Sequence, residues 1–161
     1  LNGNVQIIVS VDGSNDAVNA QLRGHGNFDS AVAFVRKLRE QDISVYLNNV
    51  IHNGNLDDVT SFVKLALELD VQQVNFLLFH PRGYGEQMAF LTPSLDQVFR
   101  RVDAVWKAGD QRTRSLLRGS LSDILYTASC CSCVSPECVG GYRAYFPSWC
   151  CEIQKGRKSV F

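Results

Sequence analysis

The first 129 residues contain no cysteine; all six lie between Cys130 and Cys151. An oxidised secreted scaffold spreads its cysteines through the fold, so that class is excluded for most of the chain. Charge of one sign is also missing. Sixteen basic residues balance sixteen acidic ones, and no overall field draws the chain to nucleic acid or anionic lipid. No apolar run approaches the roughly 20 residues that span a bilayer. Together these absences lead us to expect a cytoplasmic protein, with neither nucleic acid nor membrane as partner.

At 161 residues, 45% hydrophobic and 20% charged, the composition is that of an ordinary globular chain. It excludes disordered, collagen-like and coiled-coil classes. The length suits one domain with a small appendage.

Residues 4–11 (NVQIIVSV) are apolar and β-branched and read as a buried strand ended by Asp12-Gly13. Residues 14–27 are polar and read as a long loop with at most one helical turn. Phe28, Val32, Val35 and Leu38 make a helical stripe with Asn27 as cap. Residues 43–50 form a second strand. Asn55 caps the helix of 56–69, where Val59, Phe62, Val63, Ala66 and Leu67 recur at helical spacing. Residues 73–79 form a third strand, broken by His80-Pro81-Arg82-Gly83. Thr92-Pro93 starts a third helix, and a weaker one covers 114–126. Alternating strands and helices predict an α/β fold with a parallel sheet, apolar on both faces. Ligands of such folds sit at the carboxyl ends of strands. His25, His52 and His80 stand singly and read as surface or turn residues. Gly24-His25-Gly26 lacks the preceding strand and spacing of a phosphate loop. Lys155-Gly156-Arg157-Lys158 reads as a solvated turn.

Past residue 129 periodicity fails. Cys130 and Cys133 form a CxxC pair, Cys138 adds a third thiolate, and Cys150 or Cys151 a fourth. Four thiolates suit tetrahedral zinc or an iron–sulfur cluster; free thiols and disulfides remain open.

Several short motifs follow one another in a particular order. Ser10-Val11-Asp12-Gly13 comes first, then Leu22-Arg23-Gly24, then Leu47-Asn48-Asn49 and Asn55, then the run from Asn75 to His80-Pro81-Arg82-Gly83. In this order, on these elements, residues 5–85 resemble the second half of a radical S-adenosylmethionine enzyme. The resemblance implies a partial (β/α) barrel, whose residues 1–110 would be its second half, with 111–128 a helical connector. It implies S-adenosyl-L-methionine as the cofactor, a [4Fe-4S] cluster that cleaves it, and a peptide or cofactor-precursor substrate. Ser10, with Asp12 nearby, matches the position that meets the ribose or methionyl part. Arg23 is the candidate for the methionyl carboxylate, Asn48 for the end of the next strand, and Leu78 and His80 for proximity to adenine. Residues 129–161 resemble the start of a cysteine-rich auxiliary-cluster domain (SPASM or twitch type), an irregular tail with Cys130, Cys133, Cys138 and Cys151 as ligands.

The family's CxxxCxxC and glycine-rich "GGEP" motifs are absent. We therefore expect an N-terminally truncated fragment, inactive alone, with the cluster motif encoded upstream. An exposed sheet edge should make such a half barrel aggregate or melt easily. Two other readings stand beside this one. One is a non-catalytic α/β binding module with a zinc-bound tail. The other is an unrelated (β/α) barrel enzyme, which the lack of a strand-end lysine and of a phosphate loop disfavours. The oligomeric state is not encoded in any motif.

Overall fold

The structure is a computed structural model and describes residues 6–117. Three parallel strands lie in the order β1 (Gln6–Ser10), β2 (Ser44–Ile51), β3 (Gln73–Leu78). Helices α1 (Asp16–Arg23) and α2 (Asn27–Arg39) connect the first two, and α3 (Val59–Glu68) connects the second two. Helix α4 (Leu95–Ala108) follows, and residues 111–117 are again helical. The α/β class and the parallel sheet agree with the sequence. The cysteine-rich tail and most of the connector lie outside the described residues.

The pleat decides what each side of the sheet meets. Successive side chains point to opposite faces. On β2, Val45, Leu47, Asn49 and Ile51 are buried, while Tyr46, Asn48 and Val50 are half-buried. On β3, Val74 and Phe76 are buried between half-buried Gln73, Asn75 and Leu77. The buried face belongs to one core. It receives Val32 and Val35 from α2, Phe62 and Ala66 from α3, and Val98 and Val102 from α4. The opposite face has no helix over it among the described residues, and Ile8 stands 55% exposed there. The expectation of strands apolar on both faces is therefore corrected. One face is apolar and sealed; the other carries amides.

Polar chemistry also corrects four local expectations. Residues 14–27 hold an eight-residue helix, α1, because Asn15 caps it by accepting from Val18 N at 3.1 Å. Asn27 is not the cap of α2. Gly26 (φ 83°) takes that place, and Asn27 Nδ2 instead donates to Arg23 O at 2.7 Å, tying the two helices. Asn55 does not cap the next helix with its side chain. That stretch opens as a 3-10 turn, Leu56–Asp58, and the Asn55 amide faces inward. Helix α4 starts from a capping box made by Ser94 and Gln97 rather than at Thr92.

Gly13 permits the tight exit from β1. A Cβ there would lie 2.7 Å from Asn19 N and from Val18 Cβ. Glycine thus lets α1 fold directly against the strand end.

Candidate functional site

Register sets polar side chains of the three strands side by side. Ser10 pairs with Asn48, and Asn48 pairs with Asn75, so one row crosses all three strands on the face without helices. Ser10 is exposed, and Asn48 and Asn75 are half-buried. Asn75 Nδ2 donates to Asn48 Oδ1 at 2.8 Å, and Gln73 Nε2 donates to Asn75 Oδ1 at 2.5 Å. One row below, Gln6 Nε2 donates to Tyr46 Oη at 3.1 Å. Asn75 was not among the sequence candidates. The signal that could have found it was the alignment of β2 with β3, which needs a register rather than a motif.

Behind this row lies a buried polar lattice. Asp12 is fully buried just past the end of β1. Its Oδ1 accepts from Val50 N at 2.7 Å, and its backbone N–H donates to Asn19 Oδ1 at 2.9 Å. Arg23 Nε lies 2.6 Å from Asp12 Oδ2, an ion pair whose N–H stands off the hydrogen-bond line. Asn55 is the hub. Its Nδ2 donates to Asp12 O and Val50 O, each at 2.8 Å, and its Oδ1 accepts from His52 N at 2.8 Å. Asn49 Nδ2 donates to Val11 O at 3.2 Å. Together these bonds fasten the tips of β1 and β2 across some forty residues of sequence. The Ser14 hydroxyl and backbone N–H both donate to Asp58, at 2.5 and 2.6 Å, and pin the same loop from outside.

His52 is fully buried, not the surface residue its isolation suggested. Its Nδ1 accepts from Gly54 N at 3.1 Å, which leaves the proton on Nε2, and Nε2 has no partner among the described residues. Burial pushes the imidazole below its ordinary value of 6.5, and the nearby Asp12 charge opposes that shift. The folded state thus disfavours the imidazolium, whereas the unfolded chain takes up a proton near pH 6.5. The stability held above that pH declines as pH falls through it toward the lowered folded value. His52→Asn retains an acceptor at the δ position but does not titrate. Urea midpoints at pH 7.5 and 5.5 are expected to differ less in this variant than in the parent chain.

The remaining candidates spread out. Arg23 joins Asp12 through Nε, and its Nη groups make no hydrogen bond among the described residues. Leu78 lies on the helix face with Val74 and Phe76 and packs against the core; Leu77 is the residue of that strand end on the amide face. His80 is exposed just beyond β3. Cys130, Cys133, Cys138 and Cys151 lie outside the described residues.

An "AdoMet-dependent heme synthase" of Methanosarcina barkeri is 28% identical over 90 residues, which make up 55% of this chain and 26% of that protein. A "PqqA peptide cyclase" of Methylorubrum extorquens is 29% identical over 132 residues, 79% of this chain and 33% of that protein. Both are radical S-adenosylmethionine enzymes. This chain is similar to both over those residues. No family model matches it.

This chain spans a third or less of the length of the relatives it matches. The two groups such enzymes use fit the described residues differently. Iron–sulfur clusters are held by cysteine thiolates. Residues 6–117 contain no cysteine, and no three His, Cys, Asp or Glu side chains gather there to hold a metal. They do not fit the cluster. The open row of hydroxyl and amides across the three strands does fit a polar nucleotide. No helix among the described residues is long and apolar enough to cross a membrane.

Proposed function

We propose that the chain forms part of a radical S-adenosylmethionine enzyme and supplies the strand ends that bind and orient S-adenosylmethionine. Its three strands would be the second half of a partial (β/α) barrel. The observation that carries this reading is the row Ser10–Asn48–Asn75, level across three parallel strands on the face without helices, with Ser10 the last residue of β1. Ser10 and Asn48 would meet the ribose or methionyl part. Arg23, held through Nε by Asp12, would turn its Nη edge to the methionyl carboxylate, where a planar fork suits paired oxygens. His80 and the backbone of Leu78 would lie along adenine. The cofactor, reductively cleaved, supplies a 5′-deoxyadenosyl radical for hydrogen abstraction; these residues fix where its atoms lie. The names of the relatives support a peptide or a cofactor precursor as the substrate. Cys130, Cys133, Cys138 and Cys151 are proposed as ligands of an auxiliary iron–sulfur cluster. Iron and sulfide in the anaerobically reconstituted chain support that assignment, and stoichiometric zinc in a colourless sample replaces it.

Calorimetric titration of the 161-residue chain with S-adenosylmethionine tests the binding role. Saturable binding is expected, weakened about tenfold by Asn48→Ala, the loss of roughly one good hydrogen bond. A chain that does not bind, or a variant that binds equally well, overturns the proposal.

A further inference from the structure

Three side-chain amides cross the open face in a single direction. Gln73 Nε2 donates to Asn75 Oδ1, and Asn75 Nδ2 donates to Asn48 Oδ1, at 2.5 and 2.8 Å. A primary amide has one acceptor end and one donor end, so a bond at either end sets which way it faces. Gln73 sets Asn75, and Asn75 sets Asn48. The Asn48 oxygen is held on the β3 side. Its Nδ2 makes no hydrogen bond among the described residues and is the end left for the β1 side, where the register partner is Ser10.

We propose that Gln73 and Asn75 are positioning residues, whose relay holds Asn48 so that Asn48 Nδ2 and the Ser10 hydroxyl together present donors to an acceptor oxygen of the ligand. The proposal rests on the binding role given above and adds its polarity. This pair of donors selects a carboxylate or carbonyl oxygen and rejects a donor in the same place. Gln73 lies at the start of β3, two residues before the row, and acts only through Asn75.

Reversing the relay from either position tests this. In Asn75→Asp, a carboxylate accepts from both neighbours and donates to neither. Asn48 must turn over to offer it Nδ2, and its oxygen swings toward Ser10. In Gln73→Glu the same reversal starts one residue further back, because Asn75 turns to donate to the new carboxylate. Gln73→Met removes the first donor without imposing a direction. Nuclear Overhauser contacts of the Asn48 side-chain amide protons report the orientation. They are expected with Ser10 in the parent chain and with residue 75 in Asn75→Asp and Gln73→Glu. S-adenosylmethionine affinity should fall about tenfold or more in both of those variants, and less than about threefold in Gln73→Met. A merely structural role would give Glu and Met the same effect.

Asn48 contacts that stay with Ser10 in both reversed variants overturn the relay, as do equal affinity losses for Gln73→Glu and Gln73→Met. If Asn75→Asp does not fold, Gln73→Glu carries the test. If the parent chain binds no S-adenosylmethionine, the binding role fails, and the amide contacts still decide the relay.

Discussion

Arg23→Ala is expected to lower the stability of the ligand-free chain by about 3 kcal/mol, the low end of the ~3–5 kcal/mol seen when one partner of a buried pair is removed. The cost arises on the carboxylate. Asp12 is completely buried, and its second oxygen faces the Arg23 guanidinium, with Nε 2.6 Å away. Without that cation, a charge remains in the protein interior beside Val50 N. The low end applies because the Arg23 side chain is 33% exposed, so water reaches part of the site. Arg23→Lys restores charge without the fork and should recover part of the loss. Urea midpoints at constant slope measure both. A residue that served only the ligand would leave the midpoint of the empty chain unchanged, and that result would remove the buried tie.

Phe76→Ala is expected to cost about 3–5 kcal/mol, a large share of the ~5–15 kcal/mol that holds a domain of this size together. Phe76 is fully buried on β3, and its ring centroid lies 6.1 Å from that of Phe62 on α3 at an interplanar angle of 53°. Truncation opens a cavity where α3 seats on the sheet, and the surrounding valines cannot close it without moving the strand. Phe76→Leu keeps most of the volume and should cost about 1 kcal/mol. Thermal melts of the two variants side by side give the comparison. A loss below 1 kcal/mol for alanine would mean that this pair does not anchor the helix.

Much of the scaffold could be read from periodicity. The stripes through Val32–Val35–Leu38 and Val59–Phe62–Val63–Ala66 are buried as their spacing requires, and all three strands stand within two residues of their expected bounds. Helix α1 escaped because a polar side chain does its burying. Asn19 reaches Asp12 N from the middle of the helix, and a hydrophobic count cannot see that. The sheet's amide face escaped for a related reason. In SVYLNNVI the alternation of Tyr46 and Asn48 with Val45 and Leu47 is present, but the expectation of strands apolar on both faces passes over it. The site was legible in part. The structure brings two pairs of the candidates together, Ser10 with Asn48 in the register and Asp12 with Arg23 in an ion pair. Asn55 and His52 join them through bonds that span as many as 43 residues, beyond the reach of any local pattern. What could have flagged them is the crowding of Asn48, Asn49, Asn53 and Asn55 around one histidine at a strand end, more amides than a turn requires.

Strand β1 has a consequence of its own. Within the described residues it bonds to β2 along one side, and Ile8 stands out from its surface. The amides and carbonyls along its free margin form an unfinished zipper, and backbone groups of this kind must find either water or another backbone. An extended segment that pairs there sets its own side chains beside Ile8 and Ser10 on the open face and widens the surface that the row of amides begins.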